Sequence, residues 1–246
     1  MSKLGKLDVL AIGAHPDDVE LGCGGTLALL ARQGRRVGIL HLTRGERGTR
    51  GTSAEREDEA RSAAAALGAV ELAFLDCGDG ALRTGEAEED ALIGLLRAFR
   101  PDLVFGPTPR DRHPDHGRAH ALVEAACFYA GLANRAPDHG PAYRPAAIFS
   151  YMQHDPFAPS FVVDVTPAWD AKVASLAAYR SQLHQPGTRD EGTPVTKVST
   201  PQFRLAVEGR ARHFGEMINA ELGEPFWNRI PLAVRDPFDL LPGGVR

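Results

Sequence analysis

The sequence predicts an α/β fold in which a mostly parallel sheet carries helices on both faces. Short apolar runs typical of buried strands alternate along the chain with segments whose apolar residues recur at helical spacing. Strands joined through helices pair in parallel by right-handed crossovers, which places helices on both sides of one sheet. The chain has 246 residues, of which 43% are hydrophobic, and can bury a sizeable core. Because no second core is evident, we expect a single domain over residues 1–246.

The first half of the chain contains four predicted strands, each followed by a predicted helix. The strands are the short apolar runs at residues 7–13, 37–42, 72–75 and 103–105. The helices are predicted at residues 26–33, 52–67, 88–99 and about 117–129. Thr52 and Glu55 form a capping box at the start of the second helix, and Gly34 and Gly68 end the first two helices.

The second half of the chain gives weaker signals. Residues 147–152 and 161–165 predict two further strands. Thr166 followed by Pro167 is a typical helix start, and that helix extends to about residue 182. A last helix is predicted at about residues 202–220. Between these helices, residues 184–200 are rich in Gly, Pro, Thr and charge, which indicates a mobile loop near the site or an interface.

Composition and charge exclude several classes of protein. Lysine and arginine number 28 against 32 acidic residues, and this balance argues against a duplex nucleic-acid partner. Three widely spaced cysteines do not make a disulfide framework. No segment approaches the roughly 20 apolar residues that span a bilayer, and the N-terminus lacks a signal-peptide pattern. We therefore expect a cytoplasmic protein with no membrane partner. The nine histidines, together with the carboxylates, allow a metal site.

Two polar clusters follow the first and fourth predicted strands, where open parallel sheets bind ligands. They are residues 15–18 (HPDD) and 111–116 (DRHPDH). A catalytic zinc takes three histidine or carboxylate ligands and keeps one position open, and His15, Asp18 and His116 would supply these three. Either cluster alone is more often a helix cap or a surface turn. Because both clusters fall at the same predicted edge, we favour a metal site.

The remaining side chains of these clusters suit hydrolytic chemistry. Asp17 points away from Asp18 in an extended turn, so it is free to act as a general base toward water. His113 could stabilise a developing oxyanion or protonate a leaving amine. Asp115 is a candidate to orient a histidine ring. These roles are typical of a metal-assisted hydrolase.

Glycines and arginines near the clusters have simpler interpretations. The glycines at positions 22, 24 and 25 fit no phosphate-binding pattern and indicate close backbone packing beneath the site. Four arginines follow the second strand, and solvated charge explains most of them. The exception is Arg56, which begins a helix where it could reach an anionic or polyhydroxyl substrate.

The strings AHPDDVELGCGGTL, LTRGERGT with EREDEA, and DRHPDHGRAH together resemble the PIG-L/LmbE-like family of zinc-dependent N-deacetylases. More narrowly, the chain is similar to the bacillithiol biosynthesis deacetylases, which remove acetate from N-acetylglucosaminyl malate. PFAPSFVVDVT, AYRSQ and EPFW also fit this group. The resemblance implies a Rossmann-like sheet and one Zn²⁺ per subunit, with Fe²⁺ as a possible substitute. It further implies the following roles: His15, Asp18 and His116 bind the metal, Asp17 is the base, His113 assists with Asp115 behind it, and Arg56 holds substrate.

One departure and several alternatives remain open. Relatives that act on mycothiol precursors carry tyrosine two residues before the HPDH motif, where this chain has Asp111, and this favours the bacillithiol branch. The alternatives within the family are deacetylation of another N-acetyl amino sugar and cleavage of a thiol conjugate. A sugar-binding or metal-storage protein is a different class, and Asp17 argues against it because binding alone needs no base. The family also implies a homo-oligomer, with hexamers among the forms.

Overall fold

The computed structural model describes residues 5–185, 194–234 and 236. Its strands are β1 (Val9–Gly13), β2 (Val37–His41), β3 (Glu71–Phe74), β4 (Leu103–Gly106), β5 (Ala147–Tyr151), β6 (Phe161–Asp164) and β7 (Gly223–Trp227). Its α-helices are α1 (Asp18–Arg32), α2 (Ser53–Ala66), α3 (Glu86–Phe99), α4 (Pro114–Tyr129), α5 (Trp169–Ala178) and α6 (Pro201–Glu216). Single turns of 3-10 helix lie at Pro137–His139 and Thr166–Ala168. None of the helices in the described ranges combines the length and apolar character that a membrane crossing requires.

The strands form one sheet in the order β3-β2-β1-β4-β5-β7-β6. Strands β1 to β5 are all parallel, with Ala11 of β1 opposite Ile39 of β2 and Phe105 of β4. The predicted α/β class and its mostly parallel sheet are therefore confirmed. Strands β2 and β3 lie on one side of β1, whereas β4 lies on its other side. The carboxyl ends of β1 and β4 therefore flank a crevice.

Strand β7 was not predicted. It lies antiparallel between β5 and β6, with Tyr151 opposite Phe226 and Val162 opposite Pro225. Its sequence, GEPFW, begins with glycine and contains proline, and both residues are depleted in strands. Tertiary packing overrides this weak propensity, because Phe226 is fully buried against Phe105 and Phe161.

Helices cover both faces of the sheet, as predicted. Successive side chains of β1 alternate between two cores: Leu10 and Ile12 pack in the core that contains α3 and α4, whereas Val9 and Ala11 pack in the core that contains α1. Leu96 of α3 belongs to the first core. The second core also takes side chains from α2 and α5.

Three predicted helix boundaries are wrong by four residues or more. Helix α1 begins at Asp18, eight residues before the prediction, because buried polar and glycine residues interrupt its apolar spacing and Cys23 kinks it at φ −143°. A Cβ atom at Gly22 would lie 2.1 Å from Cδ2 of Tyr151, so the helix can approach β5 only with glycine there. The helix predicted to reach residue 182 ends at Ala178, and the last helix ends at Glu216 rather than near residue 220.

A buried ion pair ties α1, α5 and β7 together. The Lys172 Nζ atom lies 2.5 Å from Oε1 of Glu224, and both side chains are 3% exposed. The Glu224 carboxylate also accepts hydrogen bonds from the backbone N–H groups of Gly25 and Thr26 and from the Thr26 hydroxyl. Lys172 donates a second hydrogen bond to the carbonyl oxygen of Leu21. Nearly every polar atom of this pair is therefore satisfied inside the protein.

Candidate active site

A cleft of about 260 Å³ lies at the carboxyl ends of β1 and β4. The loop after β1 and the start of α1 bring in His15, Asp17 and Asp18, and the segment after β4 brings in His113 and His116. Two clusters that lie far apart in the sequence thus meet in one cleft. Arg56, which was predicted to hold substrate, lines the same cleft.

The Asp18 carboxylate lies between two histidine rings. Its Oδ2 atom is 3.4 Å from Nδ1 of His15, and its Oδ1 atom is 3.3 Å from Nε2 of His116. All three side chains are buried at the base of the cleft. Although burial opposes its charge, the neighbouring histidines hold the pKa of Asp18 well below its usual range. Two imidazoles and one ionised carboxylate beside open space match the ligand type of a catalytic zinc.

Further carboxylates hold the outward-facing nitrogens of both rings. Nε2 of His15 lies 3.2 Å from Oδ1 of Asp79 and 3.3 Å from Oδ2 of Asp115. Nδ1 of His116 lies 3.4 Å from Oδ2 of Asp111. A carboxylate on the outer nitrogen of a metal-binding histidine fixes the tautomer and the orientation of the ring. The arrangement of both rings therefore fits metal ligation through their inner nitrogens.

The position of Asp115 differs from the expectation that it stands behind His113. Its carboxylate contacts His15 and accepts the backbone N–H groups of Gly80 and Leu82 at 2.8 and 3.2 Å. Burial opposes the charge, but these bonds outweigh it and hold the pKa of Asp115 below its usual range. His113 contacts the backbone of Asp115 instead, because its Nδ1 atom caps α4 by accepting the Asp115 N–H at 3.2 Å.

That cap bears on the role of His113. Ring nitrogens of His15, His113 and His116 lie within 4.8 Å of one another, so His113 is a geometric alternative to Asp18 as the third ligand. Because Nδ1 of His113 accepts a backbone N–H, a neutral ring carries its proton on Nε2. That nitrogen is then a donor rather than a metal ligand. The tautomer favours Asp18 as ligand and leaves His113 to donate to a substrate atom.

Asp17 occupies a strained backbone position at the start of α1. Its φ of 104° lies in the left-handed region, which Asp and Asn tolerate better than most side chains. Burial raises the pKa of the Asp17 carboxyl to about 7, although the Arg56 guanidinium opposes the rise. A carboxylate with a pKa near neutrality is well suited to accept a proton in catalysis.

The prediction that most of the four arginines after β2 are solvated surface charges is only partly correct. Arg56 is buried and donates to the carbonyl oxygens of Pro16 and Gly45 at 2.7 and 3.2 Å, so it also braces the loop that carries Asp17. Arg50 is buried rather than solvated, and its Nε donates to the carbonyl oxygen of Ser181. Arg44 pairs with two carboxylates at the surface. Of the four, Arg47 joins Arg56 in the lining of the cleft.

Sequence reasoning missed a third wall of the cleft, which follows β5. The Gln153 side chain donates to Oδ1 of Asp18, and the His154 ring lies parallel to that of His116 at a centroid distance of 5.9 Å. Burial lowers the pKa of His154 to about 4. The end of a parallel strand beside β4 was the available signal. Of the predicted loop 184–200, Val198 lines the cleft, while residues 186–193 lie outside the described residues.

The chain is similar in sequence and in structure to several known proteins. The family described as PIG-L, GlcNAc-PI de-N-acetylase, matches residues 10–127. Diacetylchitobiose deacetylase from Thermococcus kodakarensis is 31% identical over 188 residues, which cover 71% of this chain and 70% of that protein. 4-Oxalmesaconate hydratase from Pseudomonas putida is 30% identical over 195 residues, covering 71% and 74%. The crystal structure of the conserved protein TT1542 from Thermus thermophilus has a TM-score of 0.84 at 38% identity, covering 94% and 98%.

Proposed function

Because the chain belongs to the PIG-L family, we propose that it is a zinc-dependent deacetylase that removes acetate from an N-acetylglucosamine conjugate, with N-acetyl-α-D-glucosaminyl L-malate as the substrate. One observation carries the hydrolytic part of this proposal. Asp17, a carboxylate with a pKa near 7, lies in the same cleft as the His15, Asp18 and His116 ligand set and the donor His113. Binding without turnover requires neither the base nor the donor.

In the proposed reaction, each side chain of the cleft has a separate task. A Zn²⁺ held by His15, Asp18 and His116 would polarise the acetamide carbonyl and lower the pKa of water toward about 7. Asp17 accepts the proton of the attacking water. The Nε2–H group of His113 donates a hydrogen bond to the oxyanion, and the protonated Asp17 carboxyl passes the proton taken from water to the leaving amine, which frees acetate and the amino sugar.

Two arginines support an anionic aglycone. Arg47 and Arg112 line the cleft, and within the described residues no carboxylate lies at ion-pair distance from either guanidinium group. Guanidinium groups bind carboxylates through paired hydrogen bonds. The two carboxylates of a malate group would meet this requirement, whereas an uncharged sugar would not.

The hydratase relative supports a second candidate. 4-Oxalmesaconate hydratase adds water to its substrate, as its name states, and its similarity covers most of both chains. A base and a metal-type ligand set serve hydration as well as amide hydrolysis. The acidic character of such a substrate also suits Arg47 and Arg112, so the two functions must be separated by assay.

A substrate panel tests the proposal. Protein reconstituted with zinc is incubated with N-acetylglucosaminyl malate, free N-acetylglucosamine, diacetylchitobiose, an N-acetylated thiol conjugate or 4-oxalmesaconate, and the products are quantified with and without a chelator. We expect chelator-sensitive acetate release that is fastest with the malate conjugate. Water addition to 4-oxalmesaconate without acetate release from any sugar would overturn the deacetylase assignment.

The arginines allow a sharper test of the aglycone. Arg112→Gln should lower kcat/KM for the malate conjugate while leaving free N-acetylglucosamine unaffected, because only the conjugate presents carboxylates. Arg110→Gln is the matched control, since Arg110 is exposed and does not line the cleft. Equal losses with both substrates would argue against malate.

A further inference from the structure

The imidazole of His154 stands next to the reaction centre without belonging to it. The rings of His15, His113 and His116 are mutual neighbours, with centroid distances of 4.8, 5.1 and 5.8 Å. His154 adjoins only His116 among these three, and the ring of Phe203 in α6 lies 5.9 Å from that of His154. The His154 ring therefore lies beyond His116, further along the cleft than the side chains that act on the acetamide.

The backbone of His154 is fixed to the same carboxylate that holds His116. Its N–H donates to Oδ2 of Asp111 at 3.1 Å, and this oxygen also lies 3.4 Å from Nδ1 of His116. The carbonyl oxygen of the preceding Gln153 accepts a hydrogen bond from Arg210 of α6. Contacts on both sides thus set the position of the His154 ring relative to the metal-type ligands.

The ring itself has free hydrogen-bonding capacity. Within the described part of the chain, neither nitrogen of the half-buried His154 ring has a hydrogen-bond partner, although the ring lines the cleft. A neutral imidazole offers one N–H donor and one acceptor. Partly buried polar atoms that face a cleft without protein partners are suited to a ligand with hydroxyl groups.

We propose that His154 binds a hydroxyl group of the sugar ring and so acts as a specificity-determining residue of this cleft; the inference rests on the proposed function. With the acetamide beside Asp17 and His113, the pyranose ring would extend past His116 toward His154. The buried ring of Phe203 packs behind the histidine and helps to fix its position. Charged parts of the substrate would be bound elsewhere, by Arg47 and Arg112.

Sugar binding is measured first without turnover. In an Asp17→Asn background loaded with zinc, the Kd for N-acetylglucosamine is determined for the parent and for the additional changes His154→Ala and His154→Gln. Loss of one hydrogen bond should weaken binding by roughly 3- to 10-fold in His154→Ala, and His154→Gln should recover part of it. His213→Ala, an exposed histidine of α6, is the matched control and should leave Kd unchanged. Equal Kd values for the parent and both His154 variants would overturn the inference, as would a complete lack of sugar binding.

Deoxy sugars distinguish a direct contact from a structural effect. The 3-, 4- and 6-deoxy analogues of N-acetylglucosamine are compared between the parent and His154→Ala. For at least one analogue the ratio of the two Kd values should fall to about one, because the hydroxyl partner is already missing. A ratio that stays the same for every analogue would show that His154 touches no ring hydroxyl. Acetate release by the wild-type protein is scored separately, so failure of the deacetylase proposal is recognised independently.

Discussion

The buried pair of Lys172 and Glu224 allows a quantitative prediction about stability. In Lys172→Met, the Glu224 carboxylate keeps its bonds to Gly25 and Thr26 but loses the Lys172 ammonium group in a site that is 3% exposed. Removing one partner of a buried ion pair costs about 3–5 kcal/mol, because the remaining charge stays desolvated. For a chain of this size each kcal/mol corresponds to roughly 2–4 °C in Tm. We therefore expect Tm to fall by about 6–20 °C.

The double variant distinguishes the loss of the ion-pair interaction from the cost of leaving one buried charge without a partner. In Lys172→Met with Glu224→Gln, the amide oxygen of Gln can still accept backbone hydrogen bonds and no charge remains. The double variant should then lose less stability than the sum of the two single variants, by about 1–3 kcal/mol.

Urea denaturation followed by circular dichroism measures these differences in the free energy of unfolding. Arg212→Met is the control, because Arg212 pairs with Glu208 on the exposed surface of α6 and should change stability by at most about 0.5 kcal/mol. The reasoning would be refuted if Lys172→Met cost no more than Arg212→Met, or if the double variant equalled the sum of the singles.

Three further predictions concern the site and its support. Asp17→Asn should retain zinc and the left-handed backbone at this position but lower turnover by about 10²–10⁴-fold, and a wild-type rate would exclude Asp17 as the base. Asp111→Asn should weaken zinc binding by about 10–100-fold in a chelator competition, whereas unchanged affinity would mean that Asp111 does not support His116. Gly22→Ala should destabilise the fold by about 1–3 kcal/mol through its contact with Tyr151. Gly209→Ala, whose Cβ position has no neighbour within 4 Å, should stabilise it by about 0.4–1 kcal/mol, and the same sign for both glycine variants in thermal unfolding would contradict the packing argument.

The sequence predicts those strands and helices whose local residue pattern agrees with their place in the folded protein. The apolar runs around Ala11 and Val104 predicted buried parallel strands, and the position of those strands predicted that His15 and His116 would meet. Strand β7 could not be predicted because Gly223 and Pro225 disfavour a strand, and only its burial between β5 and β6 overcomes that preference.

The site was predictable to the extent that its residues cluster in sequence. Asp17, Asp18 and His113 stand in dense polar motifs directly after strands, so a rule about strand ends was enough to select them. Asp79 and His154 each reach the cleft from a different loop, and neither lies in a motif that marks it. Their roles depend on distances between loops, which sequence spacing does not contain.

The long stretch of sequence between α1 and β7 has a consequence for the order of folding. Glu224 bonds to Gly25 across 199 residues of sequence, and among the residues that the structure describes β6 joins the sheet through β7 alone. Contacts between such distant residues form late, because the loop-closure entropy must be overcome before they contribute. During synthesis, the part of α1 around Gly25 and Thr26 must therefore wait until β7 has been made before it is covered. Until then, that part of α1 is exposed to the solvent.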